Sequence, residues 1–354
     1  VAGKFGVRGG GYTLSNSGVY GLSNVRAMAE TPPPTRVVNM NLVGRTLVER
    51  KDPPVTVLFV YNNNALMTLP NQEAVRKGLL REDLFTIVFD QAMTDTARYA
   101  DLILPATTFL EHHELMRGYG AYGIQEIRPV IERVGESRPN HEVFGELCRR
   151  LHLDRPGDPT SHEEILDAIL ADHPMGDEGR RALQTGGRVF PAVGAAPVQF
   201  VDERPRTPDG KVHLCPEALD KEAPGGLYAY RPDPASDVHP LALISPSTER
   251  TISSTFGQLH RKQVPVEIHP DDAGTRGIVD GDAVRIFNDL GEVRCRARLS
   301  DGIRPGVVAL PKGLWSHNTL NGATSNAVSP DSLTDLGGGA CFNDARVQIE
   351  RLPA

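Results

Sequence analysis

The first 50 residues carry no hydrophobic period. They are rich in Gly, Ser and Asn, and Pro32-Pro33-Pro34 makes a stiff break in them. The pattern changes after Pro53-Pro54. Val55 to Val60 is a continuous apolar, β-branched run, the signature of a strand buried on both faces. It ends in Asn62-Asn63-Asn64, after which Asn71 can cap a helix with Val75 and Leu79 on one face. Leu84 to Phe89 repeats the apolar run and ends at Asp90. Thr94 or Asp95 can cap a further short helix, and Leu102-Ile103-Leu104 reads as a third strand. Strand, helix, strand, helix, strand at this spacing predicts an α/β fold built on a doubly wound parallel sheet.

Farther along, Glu111 to Arg117 reads as a polar helical stretch and Ile124 to Ile127 as β-like. Asn140 precedes a helical stripe of Val143, Phe144, Leu147, Cys148 and Leu151. Ser161-x-x-Glu164 is a capping box ahead of Ile165, Leu166, Ile169 and Leu170. Residues 172–237, dense in Pro, Gly and charge, read as a connector with a hairpin and little other regular structure. From His239 the runs shorten: Leu241–Ile244, Val266–His269, Val284–Phe287, Val293–Leu299 and Gly306–Leu310, with a short helix after Asp271-Asp272. Many short strands around turn signals predict a small C-terminal β-barrel. The domain reading is therefore a tail and connection over 1–50, the α/β domain over 51–237, and the barrel over 238–354.

At 354 residues the chain has room for two domains, and its formal charge of −7 argues against general nucleic-acid binding. No apolar run reaches the roughly 18 residues of a membrane span. No secretory leader is visible, a reading that favours the cytoplasm, with the periplasm as the alternative. The four cysteines, Cys148, Cys215, Cys295 and Cys341, form no C-x-x-C pair, so no local zinc or iron–sulfur site is encoded.

Two formal motifs mislead. Gly118-Tyr-Gly120-Ala-Tyr-Gly123 spells the dinucleotide fingerprint, but that motif needs a strand before it and a helix after it, and here the order is reversed. Glu111-His112-His113-Glu114 invites a metal, yet adjacent helical side chains diverge and no H-E-x-x-H spacing exists; these residues read as surface polar groups or cofactor-facing hydrogen bonders. Neither a G-x-S-x-G elbow nor a P-loop occurs. The informative positions are the strand ends, where open α/β sheets bind ligands. Asn62 to Asn64, Asp90, Thr94 and Thr96 stand there, suited to nucleotide hydroxyls or base donors and, at a helix start, to phosphate. The competing reading is that they only end strands and cap helices.

Those same residues carry a family resemblance. The stretch from "VLFVYNNNALMTLPNQEAV" through "FTIVFDQAMTDTARYADLILPATTFLEHHEL", the segment "GESRPNHEVFGELCRRL" and the run "VEIHPDDAGTRGIVDGDAVRIFNDLGEVRCRARLSDGIRPGVVALPKGLW" resemble the molybdopterin oxidoreductases of the dimethyl sulfoxide reductase superfamily. The opening "GKFGVRGGG" fits as well. The resemblance implies a bis(molybdopterin guanine dinucleotide) cofactor with Mo or W, oxygen-atom or two-electron transfer at the metal, and a C-terminal barrel of the double-psi type closing over the pterins. It implies cofactor contacts at Asn64, where Ala65 replaces the family's following Pro, at Phe89 and Asp90 toward guanosine, and at Thr94 and Asn140. In the barrel it implies Ser245, Ser247, Thr251, Ser253 and Ser254 of the first pterin loop, then Asn326 and Asn343.

The family's cluster cysteines and its metal-ligating residue have no counterpart here. The resemblance thus implies the C-terminal half of an enzyme, inactive alone, with a 4Fe-4S cluster in a preceding N-terminal region. That region and an iron–sulfur electron-transfer subunit are the implied partners, and a small molecule is the implied substrate. The rival reading is a non-catalytic relative that keeps the fold as a binding or assembly module.

Overall fold

The computed structural model describes residues 3–11, 20, 22, 35–118, 122–170, 173, 175–214, 216–222, 236–334 and 337–353. They fall into two compact units. One combines Val1–Thr35 with Pro105–Pro216, the other Arg36–Leu104 with Glu217–Ala354. The division differs from the sequence reading of 51–237 and 238–354: the first sheet shares a unit with the barrel. The reason is packing between segments far apart in sequence, which periodicity does not register.

In the second unit, α1 (Val43–Glu49) precedes β1 (Val57–Tyr61), α2 (Ala65–Thr68), α3 (Gln72–Leu79), β2 (Phe85–Asp90) and β3 (Leu102–Pro105). The strands form one sheet in the order β1-β2-β3, and β1 runs parallel to β2 with Val60 opposite Val88. Asn71 caps α3 as expected, its side chain accepting from the Ala74 N–H, and Val75 and Leu79 are buried on the inward face. They pack with Val60, Val88, Leu66 and Met67. The opposite face is covered only toward its carboxyl end, where Phe89 is buried while Phe59 and Ile87 are half-buried. Val57 is 58% exposed and Phe85 48%, so the expectation of strands buried on both sides fails at the amino ends of β1 and β2.

The other unit holds a hairpin, β4 (Glu114–Arg117) and β5 (Ile124–Ile127), and then α4 (Asn140–Arg150), α5 (His162–Leu170) and α6 (Gly176–Gln184). β4 corrects the helical reading of Glu111–Arg117. Leu115 can then face Leu170, Ile124 and Leu183 in one cluster, a tertiary gain that outweighs local preference. The Ser161–Glu164 capping box forms as expected, Glu164 N–H reaching Ser161 Oγ at 3.1 Å and Ser161 N–H reaching Glu164 Oε2 at 3.2 Å. The supposed connector contributes α6, whose Leu183 is buried, so its first part belongs to this unit; residues 223–235 lie outside the described residues.

After α7 (Glu217–Glu222) comes the barrel: β6 (Leu241–Ile244), β7 (Val266–Ile268), α8 (Pro270–Gly274), β8 (Ala283–Asn288), β9 (Gly291–Leu299), β10 (Val307–Ala309) and β11 (Arg346–Arg351). Six strands close in the order β10-β6-β11-β8-β9-β7, with β10–β6 and β7–β9 parallel and the other pairs antiparallel. β9 shows why the sequence closes this way: Val293, Cys295 and Ala297 point inward while Arg294, Arg296 and Arg298 point out, the two-residue period of a half-buried strand. Among the described residues no helix is long and apolar enough to cross a membrane.

Candidate functional site

At the carboxyl edge of the sheet, Asn62 adopts a left-handed φ of 49° and its N–H reaches the Phe89 carbonyl at 3.0 Å, which ties the ends of β1 and β2 together. Asn64 is buried and uses both ends of its amide. Oδ1 accepts from Thr96 N–H at 3.2 Å and Thr96 Oγ1 at 2.9 Å, and Nδ2 donates to Ser254 Oγ at 3.1 Å. Thr94 is also buried, its Oγ1 accepting from Ala97 N–H at 3.1 Å as a turn cap. Both residues therefore brace the edge. Phe89 is fully buried with its ring stacked on Tyr61 at 5.8 Å. Asp90 is half-buried beside it, with Oδ1 accepting from Ala92 N–H at 3.2 Å. Burial pushes its carboxyl above the ordinary range, while the N–H groups of Ala92, Gln91 and Asn63 pull it back.

The barrel meets this edge through a strained loop. Ser253 (φ 48°), Ser254 (φ 67°) and Phe256 (φ 55°) are all left-handed without being glycine, a conformation that costs about 1–3 kcal/mol per residue. The surroundings hold it. The Trp315 indole Nε1 donates to the Ser254 carbonyl at 2.9 Å. Gly257 is required by that ring, because a Cβ there would lie 1.8 Å from Trp315 Nε1. Gly313, itself at φ 78°, lets the loop backbone approach; a Cβ on it would sit 2.8 Å from Ser254 N. At the loop's entrance the hydroxyls of Thr248 and Thr251 are 2.7 Å apart.

Further ties join the two layers of this unit. The carboxylate of Asp95 accepts from Ser316 N–H at 3.2 Å and from the Ser316 hydroxyl. Asn326 Nδ2 donates to the Met67 carbonyl at 2.8 Å, and Thr324 N–H reaches Gln72 Oε1 at 2.9 Å. Ser245 N–H donates to Asn343 Oδ1 at 3.1 Å, while the Ser245 hydroxyl is buried with no hydrogen-bond partner among the described residues. Ser247 is exposed. Beside the loop lies a cavity of about 570 Å³ whose lining includes Thr248, Thr251, Arg250, Arg261, Lys262 and Arg298.

Of the positions singled out in the sequence, Asn64 and Ser254 are in direct contact, Ser245 and Asn343 are in direct contact, and Asn326 is held to α2. Asn140 stands in the first turn of α4, in the other unit. Trp315, Gly257 and Ser316 carry no sequence expectation, and Asp95, expected as a helix cap, is instead tied to Ser316. A lone tryptophan after Gly313-Leu314 was the one available signal for the first, and 221 residues separate Asp95 from its partner.

The two misleading motifs resolve. Gly118 and Gly123 close the turn of the β4–β5 hairpin, with Gly118 N–H on the Gly123 carbonyl at 3.0 Å; residues 119–121 are outside the described residues. Glu111 is not a surface residue. It is buried and accepts from Thr108 N–H (2.7 Å), Thr108 Oγ1 (2.7 Å), Val134 N–H (2.8 Å) and Ser137 Oγ (3.0 Å), which hold its carboxyl at about 2. Among the described residues no three His, Cys, Asp or Glu side chains are grouped as a metal site.

Comparison with known proteins adds the context. Residues 5–150 match the molybdopterin oxidoreductase family, and residues 241–346 match the molydopterin dinucleotide binding domain. A probable oxidoreductase of Bacillus subtilis, YoaE, is 36% identical over 99% of this chain and 53% of its own length. The dimethyl sulfoxide reductase DmsA of Escherichia coli is 26% identical over 86% of this chain and 42% of its own. Acetylene hydratase from Pelobacter acetylenicus shares the fold with a TM-score of 0.70 at 20% identity, covering 89% of this chain and 47% of that one. The chain spans about half the length of the curated relatives it matches. Two domain matches in the expected order, over an α/β layer and a closed C-terminal barrel, establish that the chain belongs to the molybdopterin oxidoreductases of the dimethyl sulfoxide reductase superfamily.

Proposed function

We propose that this chain is the cofactor-binding part of a molybdenum or tungsten bis(molybdopterin guanine dinucleotide) oxidoreductase that transfers an oxygen atom or two electrons. The observation that carries this reading is the loop Thr251–Gly257, held in a strained backbone by Trp315 and Gly313 and tied through Ser254 to Asn64. Such strain persists where the surrounding structure over-determines a shape that a ligand uses. The donors around it suit a dinucleotide. The Ser245 hydroxyl, which has no partner among the described residues, and the exposed Ser247 and Ser253 offer hydrogen bonds, and Arg250, Arg261 and Lys262 offer counter-charge for phosphates. Asp90 offers acceptors for a guanine edge. When bound, the cofactor supplies the redox chemistry, and these residues orient it.

In the same reading, β1–β3 are part of a doubly wound sheet and the barrel is of the double-psi type. The exposed face at Val57 and Phe85 supports a further layer, since parallel sheets are ordinarily covered on both sides. The metal-ligating residue, a 4Fe-4S cluster and an iron–sulfur partner subunit are assigned to polypeptide outside residues 1–354. Residues 1–354 alone are therefore expected to show no turnover with reduced or oxidised viologen dye. Robust turnover would sink the half-enzyme reading.

The site claim is tested at Asp90. A hydrogen bond from the guanine N1–H or amine to an ionised carboxylate is worth roughly 1.5–3 kcal/mol, about one to two decades in affinity. Asp90→Asn keeps the turn-capping acceptor for Ala92 but puts a donor where guanine needs an acceptor. In the full-length enzyme, Asp90→Ala and Asp90→Asn should both lower released guanine nucleotide per protein, with Asp90→Asn melting as wild type does. Asp101 is not a neutral control, because its carboxylate accepts from Thr86 N–H at 2.7 Å and pins the sheet. Equal guanine nucleotide in wild type and both variants would reduce Asp90 to a strand-ending cap.

A further inference from the structure

A second chemical cluster lies in the unit formed by residues 1–35 and 105–216, and the function proposed above assigns it no role. His162 opens α5, and its ring stacks on His113 with centroids 4.0 Å apart and planes 26° from parallel. His141, in the first turn of α4, stands 6.2 Å from His162. His113 has an acceptor in Glu126 of β5, which Arg128 also pairs. His162 Nε2 is buried and has no hydrogen-bond partner among the described residues. At its other end α5 is fixed by apolar contact, Leu170 clustering with Ile124 and Leu115. A cavity of about 790 Å³ is lined by His113, by His141 at the start of α4 and by Thr160 to Glu163 at the start of α5.

We propose that the His113–His162 stack is an acid-sensitive latch that fixes the first turn of α5 to the β4–β5 hairpin and closes one wall of this cavity. A neutral His162 can keep this stack with its Nε2 left without a hydrogen. A proton on His162 would create a buried N–H with no acceptor, beside His113 and His141 and at the positive end of the α5 dipole. Burial, then His113, then His141 push His162 below the ordinary imidazole value of 6.5; Glu163 on its own helix and Glu126 from β5 pull the other way and do not win. Across the cavity Arg133 is paired with Glu142, and Glu111 is spent on Thr108, Val134 and Ser137.

The sign follows. The docked helix binds fewer protons than the released one, so docking is at full strength above about 6.5 and weakens as pH falls below it. One proton coupled to release gives up to about tenfold more opening per pH unit.

The test is hydrogen exchange by mass spectrometry on the chain between pH 8 and 5.5, corrected for intrinsic exchange. Protection of residues 162–170 should fall below pH 6.5 while barrel strands β8 and β9 stay constant. His162→Phe keeps a stacked ring that takes no proton, and its α5 protection should be independent of pH. Imidazole NMR titration of the wild type gives a second reading that does not depend on the variant's folding: His162 should titrate below the ordinary value. Wild-type α5 protection that ignores pH, His162→Phe losing protection as wild type does, or His162 titrating at or above the ordinary value overturns the latch.

Discussion

Gly257→Ala should cost about 2–6 kcal/mol and move the fluorescence of the chain's single tryptophan to the red. The argument is steric. A Cβ at 257 would sit 1.8 Å from Trp315 Nε1 and 1.9 Å from Cδ1, and the indole is buried, so it has no free side to swing into. Moving it breaks its hydrogen bond to the Ser254 carbonyl and removes the brace from the left-handed loop at Ser253, Ser254 and Phe256. Overpacking of this kind costs about 1–3 kcal/mol, and an orphaned buried carbonyl adds about 1–3 more. Denaturant melts should show a lowered midpoint with unchanged slope. In the Trp315→Leu background the same substitution should cost much less, a coupling that a double-mutant cycle measures directly. Additive effects, or unchanged emission in Gly257→Ala, would show that the ring does not hold the loop.

The second large effect is expected at Glu111. Its carboxylate satisfies two backbone N–H groups and two hydroxyls, and its carboxyl is held at about 2 against an ordinary 4.5. Glu111→Ala leaves Thr108 and Val134 N–H without their acceptor, a loss of about 3 kcal/mol or more. The pH dependence has a definite sign. A carboxyl whose folded value is depressed stabilises fully above its unfolded value, and that contribution fades as pH falls from about 4.5 to about 2. It amounts to at most about 3 kcal/mol. Wild-type stability should therefore decline across that window more steeply than that of Glu111→Gln, which keeps the shape but has no proton to take up there. Parallel acid melts of the two proteins would assign the depressed carboxyl elsewhere.

Elements whose cause is local were legible in the chain. The Asn71 cap, the Ser161–Glu164 box, the apolar runs of β1 and β2 and the alternation of β9 depend on residues within a few positions of one another. β11 was missed although Val347 and Ile349 alternate with polar neighbours; the run is short, and its pairing with β6 and β8 lies far back in the chain. Glu111–Arg117 was misread for the opposite reason, because polar residues at helical spacing say nothing of the hydrophobic cluster that Leu115 joins.

The candidate site divides along the same line. Asn64, Asp90 and the serines of the barrel loop could be named from strand ends and a family pattern, since residue type and order are one-dimensional facts. What each side chain does was decided in three dimensions. Asn64 is spent on Thr96 and Ser254, the Ser245 hydroxyl has no partner among the described residues, and Glu111 holds a buried loop in place of facing water. Sequence by itself determined strands such as β1, β2 and β9, the caps and the family, because hydrophobic period and side-chain chemistry act over a few residues. Only the tertiary structure decided which backbone is strained, which ring braces it and which hydrogen-bonding groups remain unmatched, because those follow from contacts between segments such as Asn64 and Ser254, 190 residues apart.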